Sequence, residues 1–506
     1  MEISLGEAIT MTARNKPDAP SFVFADGSAH TFAQTNARVN RLASALTAQG
    51  VRRGDRLAVF SLDSHRYVEI VLAALKLGAV YVPLNYRLRR GEIDTLVKRA
   101  EPVAFFYDVR YAELLEGLPG AHPSIRLFLA LDEDGYEKLL AAGTEDEPPV
   151  IAGDADVIGL AFTSGTTGLP KGVVQSQRMM KAIVTEQIIE YRLHPEEVRY
   201  SAAPTYHITG ICQLLMGVAY GTASVIVPQF SPRVTLDLMA ADRVTSVFMV
   251  PTMISTVLGL PDVGDYAYGR LELMYYGAAA MSPNLLRRAM DTFRCDFLNA
   301  FGAGTEAGLQ AVLTPEDHRA ALNGRPELLG SIGKPAYGVA LKIVDDELNE
   351  VPPGEIGEIA TRSDMVMDGY LEMPEETERA LRGGWFRAGD MGYLDRNGYL
   401  YLSGRKKDMI VRGGENIYPI EIESVLADHP AVAQCAVVGV ADEHWSEIVR
   451  AWVTLRPGAA VTASELAAHC GQRLATYKVP AEFRFTDALP ANASGKILKR
   501  ELRTRD

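Results

Sequence analysis

The sequence predicts an α/β fold in two parts, a large N-terminal domain carrying mostly parallel sheets and a small α+β C-terminal domain. Three observations point there. Apolar runs of strand length alternate with stretches of helical spacing over most of the chain before residue 330, as expected for helices packed on parallel strands. Several of those runs end in glycine, alanine or hydroxyl residues, which leaves room at the strand ends where α/β sheets hold ligands. Beyond Gly404-Arg-Lys-Lys-Asp408 the pattern becomes a compact mixture of helices and alternating strands, about a hundred residues long, the usual size of a small separate domain.

Taken in order, Ala33 to Gln49 has helical spacing (Ala37, Val39, Leu42, Leu46). Arg56-Leu-Ala-Val-Phe60 reads as a strand, Tyr67 to Leu77 as a helix, and Gly78 to Asn85 as a buried strand leaving through a proline. Residues 132–155, acidic and broken by Gly143 and Pro148-Pro149, read as a surface crossing into the apolar run Val157 to Phe162. Helical spacing returns from Met179 to Tyr191. Ser201 to Ser231 contains no Asp, Glu, Lys or Arg and is long enough to span a bilayer. Pro204, Gly210, Gly217, Gly221 and Pro228 punctuate it, so it reads as a buried helix followed by a strand, not as a membrane segment. Thr222 to Val227 and Ser246 to Val250 are short β-rich runs around a helical pattern at Val234 to Ala241. Leu271 to Met281 and Asp296 to Glu306 are strands ending in very small residues. After residue 330 the signals turn antiparallel: Leu341 to Val344, Gly357 to Ala360 and Gly398 to Leu402, with turns at Pro352-Pro-Gly354 and Asn397-Gly398. The C-terminal part reads as a helix (Pro419 to Asp428), strands near Val432 to Val440 and Val449 to Leu455, a helix (Ala463 to Leu474) and a last strand at Phe483. The expected division is 1–404, a junction at 405–408, and 409–506.

Composition excludes several function classes. With 47% hydrophobic and 23% charged residues the chain has an ample core and belongs with globular proteins. A formal net charge of -13 argues against a nucleic-acid partner, which demands a basic face. The one concentrated basic stretch, Lys496 to Arg505, reads as a solvated helix end or a greeting for a phosphorylated cofactor. Four dispersed cysteines (Cys212, Cys295, Cys435, Cys470) without a CxxC suit a reducing cytoplasm, and the N-terminus carries no signal-peptide pattern. A homodimer is compatible with all of these features.

The densest functional signal is Leu160-Ala-Phe-Thr-Ser-Gly-Thr-Thr-Gly-Leu-Pro-Lys-Gly-Val173. An apolar strand feeds four hydroxyls (Thr163, Ser164, Thr166, Thr167), two glycines (Gly165, Gly168) and Lys171. Glycines turn backbone N–H groups toward an anion, hydroxyls add donors, and lysine adds a point charge, so the stretch reads as a phosphate cradle. It is not a Walker loop, since Pro170 precedes the lysine and Gly172 follows it.

Six further stretches follow in order: Pro204-Thr-Tyr-His207, Gly302-Ala-Gly-Thr-Glu306, Trp385-Phe-Arg-Ala-Gly-Asp390, Gly404-Arg-Lys-Lys-Asp408, Gly413-Gly-Glu-Asn-Ile-Tyr-Pro419 and Pro490-Ala-Asn-Ala-Ser-Gly-Lys496. Together with the loop they resemble the motifs of the adenylate-forming superfamily, which includes acyl-CoA and aryl-CoA synthetases, nonribosomal-peptide adenylation domains and beetle luciferases. The resemblance covers almost the whole chain. It implies a large N-terminal domain of layered βα sheets plus a small distorted barrel, and a small mobile C-terminal domain swinging on a hinge at Lys407. It also implies a reaction: a carboxylate attacks the α-phosphorus of ATP to give an acyl-adenylate and pyrophosphate, and a thiol, commonly that of coenzyme A, then displaces AMP.

By that resemblance the loop Thr163 to Lys171 holds the β- and γ-phosphates. Glu306 binds Mg2+ with Thr166, Thr305 points toward the phosphate, and Asp390 holds the ribose assisted by Arg405. Gly277, Ala278 and Ala279 flank adenine, and Lys496 is the catalytic lysine reaching from the small domain. Family members usually carry an aromatic two residues before Thr-Glu; here that place is Gly302, with Phe301 one earlier, so either an extra residue lets Phe301 stack or adenine is held differently. His207 stands between acyl pocket and thiol tunnel, with Gly413 and Gly414 lining the tunnel; a simple turn is the bland reading of that glycine pair. The acyl pocket is expected from Tyr206, His207, Thr209, Gly210, Val250, Met253, Gly277, Ala278 and Gly304. None of these is charged apart from a protonated His207, and no Lys or Arg lies between Ser201 and Pro232 or between Ser246 and Pro261. A second substrate carboxylate would be buried there unpaired, at high cost, so the expected acid is a hydrophobic monocarboxylic acid, alkyl or arylpropenoate, in a deep pocket. A stand-alone adenylation enzyme that loads a phosphopantetheinyl carrier protein is the main alternative, and a catalytically silent ligand-binding relative a third.

Overall fold

The strand Arg56–Phe60 shows how the sequence builds the molecule. Leu57 and Val59 pack on one face, Ala58 and Phe60 on the other, so an unbroken apolar run is buried on both sides. The structure, a computed structural model, describes residues 4–24, 28–149, 152–163, 170–279, 281–442, 444–491 and 497–505.

Arg56–Phe60 belongs to a seven-stranded sheet in the order Gly369–Tyr370, Lys171–Ser176, Val157–Thr163, Val80–Pro83, Arg56–Phe60, Ala104–Tyr107, Leu127–Ala130. A second sheet of nine strands carries, side by side, Gly308–Leu313, Asp296–Gly304, Leu273–Gly277, Ser246–Met249, Val198–Ser201 and Ala223–Ile226. The run from Asp296–Gly304 to Ala223–Ile226 is parallel, while Gly308–Leu313 returns antiparallel. Helices Leu5–Asn15, His65–Leu77, Gln177–Glu190 and Ile208–Tyr220 fill the space between the sheets, in one core that joins Val59 and Tyr81 to Phe248, Tyr275 and Leu298. Outer helices cover the far faces, giving five layers.

The charge-free segment folds as expected into the helix Ile208–Tyr220 and the strand Ala223–Ile226, turned by Gly221 in the left-handed region. Among the described residues no helix is long and apolar enough to cross a membrane. After residue 330 the strands Ala340–Val344, Gly357–Arg362, Phe386–Leu394 and Leu400–Arg405 form a small antiparallel sheet closed over Ala311, Ile343, Ile359 and Leu400. The C-terminal domain has its own core of Ile410, Ile417, Ile422, Leu426, Val437, Val449, Leu466 and others, separate from the N-terminal ones. A single 3-10 turn, Lys406–Asp408, joins the two.

Between the loop and the helix Gln177–Glu190 lies a strand the sequence does not announce: Lys171–Ser176 pairs antiparallel with Val157–Thr163, setting Thr163 opposite Lys171. The basic tail is a helix end, largely exposed and anchored on one side. Lys499–Thr504 is a helix whose Leu502 is fully buried, with Lys499 paired to Glu423 at 2.7 Å and Arg503 to Asp408 at 3.3 Å.

Candidate active site

Parallel strands side by side must end at the same edge, and this edge collects the small residues the sequence singled out. Gly277 ends one strand opposite Ala300 of its neighbour, and Gly304 ends the next. Val250 follows the adjacent strand end and starts the helix Pro251–Leu258, which carries Met253. Past Ser201 the chain turns through Pro204 to His207 into the helix Ile208–Tyr220. His207 caps that helix, its Nδ1 accepting the Thr209 N–H at 3.2 Å, and burial lowers its pKa, leaving the ring neutral. Tyr206 sets its ring edge-on to Tyr86 at 5.4 Å. A methyl group on Gly304 would stand 3.4 Å from Ile208, so this strand end and the start of that helix face each other.

Close approach explains the glycines. A Cβ on Gly277 would lie 2.2 Å from the Ala300 carbonyl oxygen, and one on Gly210 2.2 Å from that of Pro204. Ala278 adopts φ +64°, a strained value for a residue with a side chain, in the stretch that ends at Ala279. At Phe301/Gly302 and Gly302/Gly304 the pairing register shifts, first by an extra residue on the partner strand, Gln310, and then by one on this strand, Ala303. The Phe301 ring packs toward the core of the small antiparallel sheet.

The polar half of the site gathers around Glu306. Its carboxyl lies near the side chains of Thr163 and Tyr370, and burial pushes its pKa up to about 7 against the opposing pull of Arg405 and Lys171. Thr305 lies in the same turn, before Glu306. Asp390 and Arg405 face each other across neighbouring strands, Arg405 Nε paired with Asp390 Oδ1 at 2.9 Å and Arg405 Nη2 donating to Asp390 Oδ2 at 3.5 Å. Lys171 Nζ pairs with Glu376 Oε2 at 2.5 Å and lies 4.7 Å from the centre of the Tyr370 ring. One carboxylate beside hydroxyl oxygens suits Mg2+, which keeps most of its shell for water and phosphate and needs no full protein cage. Among the described residues no cluster of three or more His, Cys, Asp or Glu forms such a cage.

On the small domain, Gly413 and Gly414 form the two-residue turn of a hairpin between Ile410–Arg412 and Glu415–Ile417, with φ +59° and +90°. Both φ values lie in the left-handed region, which favours glycine. Lys407 sits in the 3-10 turn, its carbonyl accepting from Arg503 at 3.3 Å. Across the junction, Asn284 donates to Asp428 Oδ1 at 2.9 Å. Ser164, Gly165, Thr166, Thr167, Gly168 and Lys496 lie outside the described residues.

Four residues escaped sequence reasoning. Tyr370 and Glu376 arrive on a short strand and helix far along the chain. Arg99 donates to the carbonyls of Pro170 and, at 3.0 Å, Leu371, tying the far end of the loop to that same segment. Asp63 accepts the Thr205 N–H on both oxygens, at 3.0 and 3.1 Å, and so pins the Pro204 to His207 turn to the other sheet; burial raises its pKa to about 7. The uncharged wall expected to receive the acid also has a cation behind it. Arg199, two residues before Ser201, is buried, donates to Thr222 and Ser224 at 2.9 Å, and shares a cavity of about 30 Å³ with Asp63, Gly210 and Gln213.

Comparison with known proteins matches residues 9–371 to the family described as AMP-binding enzyme and residues 421–496 to the AMP-binding enzyme C-terminal domain. A fatty acid–[acyl-carrier-protein] ligase, ScoC of Streptomyces coeruleorubidus, is 35% identical over 509 residues, covering 99% of this chain and 96% of the relative. A feruloyl-CoA synthase of an Amycolatopsis species is 36% identical over 503 residues, 99% of both chains. Among solved structures, o-succinylbenzoate CoA synthetase (MenE) of Bacillus subtilis with its acyl-adenylate intermediate superposes with a TM-score of 0.88 at 30% identity, over 99% of this chain and 98% of that one.

Proposed function

This chain belongs to the AMP-binding enzyme family, and from that premise we propose that it activates a hydrophobic monocarboxylic acid, alkyl or aryl, with ATP and passes the acyl group to coenzyme A. It is an enzyme of the AMP-forming acid–CoA ligase class. The observation that carries the finer reading is the meeting of a charged cluster, Lys171–Glu306–Arg405–Asp390, with a wall of uncharged strand ends.

The two halves serve the two substrates. Joining a carboxylate oxygen to the α-phosphorus, with departure of pyrophosphate, brings two anions together, and fixed positive charge lowers that barrier. Lys171 and the loop hydroxyls, with Thr163 at their base, take the β- and γ-phosphates. Glu306, with Thr163 and Thr166, would hold Mg2+, which when bound neutralises phosphate charge. Asp390, fixed by Arg405, accepts the ribose hydroxyls, while Gly277, Ala278 and Ala279 leave a flat gap for adenine beside Gly302 and Phe301, and Thr305 donates to the α-phosphate. Lys496 supplies the cation that follows the reacting carboxylate and α-phosphate.

The acid lies against Tyr206, His207, Thr209, Gly210, Val250, Met253, Gly277, Ala278 and Gly304. In the second step the thiol sulfur bonds to the acyl carbon and AMP leaves. Neutral His207 stands where a thiol would meet the acyl group, and the small domain, turning at Lys407 within 405–408, brings Gly413 and Gly414 to the thiol arm. Loading of a carrier protein is the second reading, favoured by the similarity to the carrier-protein ligase.

The test is pyrophosphate release from ATP over a panel of alkyl, aryl and dicarboxylic acids, with thioesters identified by mass spectrometry. Acid-dependent release with acyl-CoA formed from a hydrophobic monocarboxylate is expected. Release without acyl-CoA, but with acylated carrier protein, selects the second reading; no release with any acid overturns both.

A further inference from the structure

The cation that the proposed function assigns to the phosphates already has a partner. Lys171 Nζ meets Glu376 Oε2 at 2.5 Å, with the two side chains only 15% and 21% exposed. The other oxygen of that carboxylate, Oε1, accepts from Arg379 at 2.6 Å, and the Arg379 side chain is 68% exposed. Glu376 therefore bridges an inner cation and an outer one. It is placed by a short helix, Pro374–Ala380, whose Thr377 hydroxyl accepts the Tyr370 N–H at 2.9 Å; the Tyr370 ring is the surface under Lys171.

From this geometry we infer that Glu376 is a positioning residue, a resident counter-ion that nucleotide phosphate displaces from Lys171 and that recaptures the lysine when pyrophosphate leaves. The inference rests on the reading of Lys171 as a phosphate ligand. An ammonium group has three donors and Glu376 occupies one direction, so a phosphate oxygen can begin to bind before the carboxylate lets go. Release does not strand a buried charge, because Arg379 keeps its hold on the other oxygen. That second partner separates an exchangeable counter-ion from a structural salt bridge, where loss of one partner leaves the other uncompensated. The consequence is a weaker ground-state grip on ATP and a faster departure of pyrophosphate, since uniform tight binding of substrate and product does not raise turnover.

The test uses the full-length chain with Mg2+ and β,γ-imido-ATP in titration calorimetry, together with steady-state pyrophosphate release. Glu376→Gln keeps size and shape while removing charge. It is expected to tighten analogue binding about fivefold, the scale of one partly screened ion pair, and less at high salt. KM for ATP falls with it, while kcat stays level or drops and inhibition by added pyrophosphate strengthens. A merely structural role would instead lower thermal stability and weaken or leave unchanged the affinity, and either affinity result overturns the inference. In a Lys171→Met background the Glu376→Gln effect should vanish; its persistence would equally overturn it. If Lys171→Met alone leaves analogue binding unaltered, the phosphate role of Lys171 has failed. If Lys171→Met weakens binding while Glu376→Gln changes nothing, only the counter-ion has.

Discussion

Replacing Gly210 by alanine is a one-carbon test of the proposed acid-binding wall. The added Cβ would stand 2.2 Å from the Pro204 carbonyl oxygen, 2.5 Å from its carbonyl carbon and 2.8 Å from the Ala203 oxygen. Ordinary contact begins near 3.4 Å, so the helix Ile208–Tyr220 and the Ala203–Pro204 backbone must separate by about 1 Å. Both sides are backbone, and the Pro204 turn is pinned by Asp63 through Thr205, so no flexible side chain can absorb the strain. Overpacking of this kind costs about 1–3 kcal/mol of stability. Displacement by about 1 Å of groups that orient a substrate can cost about a hundredfold in rate. The cluster of Thr163, Lys171, Glu306 and Tyr370, proposed to hold phosphate, stands on other elements, so nucleotide binding should be spared. The expected result is kcat/KM for the acid reduced about ten- to a hundredfold, KM for ATP within about threefold, and a modest fall in melting temperature. Unchanged kinetics for the acid in a folded variant, or equal loss for acid and ATP, would refute the placement of Gly210 in that wall.

Two other perturbations follow from different parts of the molecule. Glu186 is 3% exposed, neither carboxylate oxygen has a hydrogen-bond partner among the described residues, and burial, reinforced by Glu190, raises its pKa from the ordinary 4.5 to about 9. With the folded pKa above the unfolded one, an acid withholds stability as pH rises from about 4.5 to 9, at about 1.4 kcal/mol per pH unit, hence about 3 kcal/mol at pH 7. Glu186→Met should therefore raise the melting temperature at pH 8 and change it little at pH 4.5; a gain independent of pH in thermal unfolding would contradict this. Lys496→Ala should abolish adenylation yet retain thioester formation from supplied acyl-adenylate and coenzyme A, and equal loss of both half-reactions would remove Lys496 from the first step alone.

Local rules carried much of the fold. Strands buried on both faces read as continuous apolar runs, as at Arg56–Phe60, and the helix Ile208–Tyr220 was visible because glycine and proline bound its apolar stretch. The strand Lys171–Ser176 was not, because Lys-Gly-Val-Val-Gln-Ser has too little alternation to announce itself and is defined by a partner across the loop. In the site, residues that work through their own backbone were legible: Gly277 and Gly210 must be glycine because another chain segment lies where a Cβ would be. Residues that work through a distant partner were not. Glu376 meets Lys171 across 205 positions and Asp63 meets Thr205 across 142, and neither stretch differs in composition from an ordinary solvated helix or loop.

That division has a physical cause that bears on how the two halves of the site operate. The proposed acid side is held mainly by backbone against backbone, with Gly210 on Pro204 and Gly277 on Ala300, and by the Asp63 carboxylate on the Thr205 N–H, contacts that cannot be exchanged without moving an element. The proposed nucleotide side is held by charge, with Lys171 between Glu376 and Tyr370, Glu306 near Thr163 and Tyr370, and Asp390 against Arg405. Where such a pair reaches solvent, as Lys171–Glu376 does through Arg379, one partner can be swapped for another of like strength at small net cost, because desolvation there is only partial. A rigid wall suits a substrate chosen by shape. An exchangeable one suits a substrate that arrives as one polyanion and departs as two, since each departure needs a resident group ready to take back the charge.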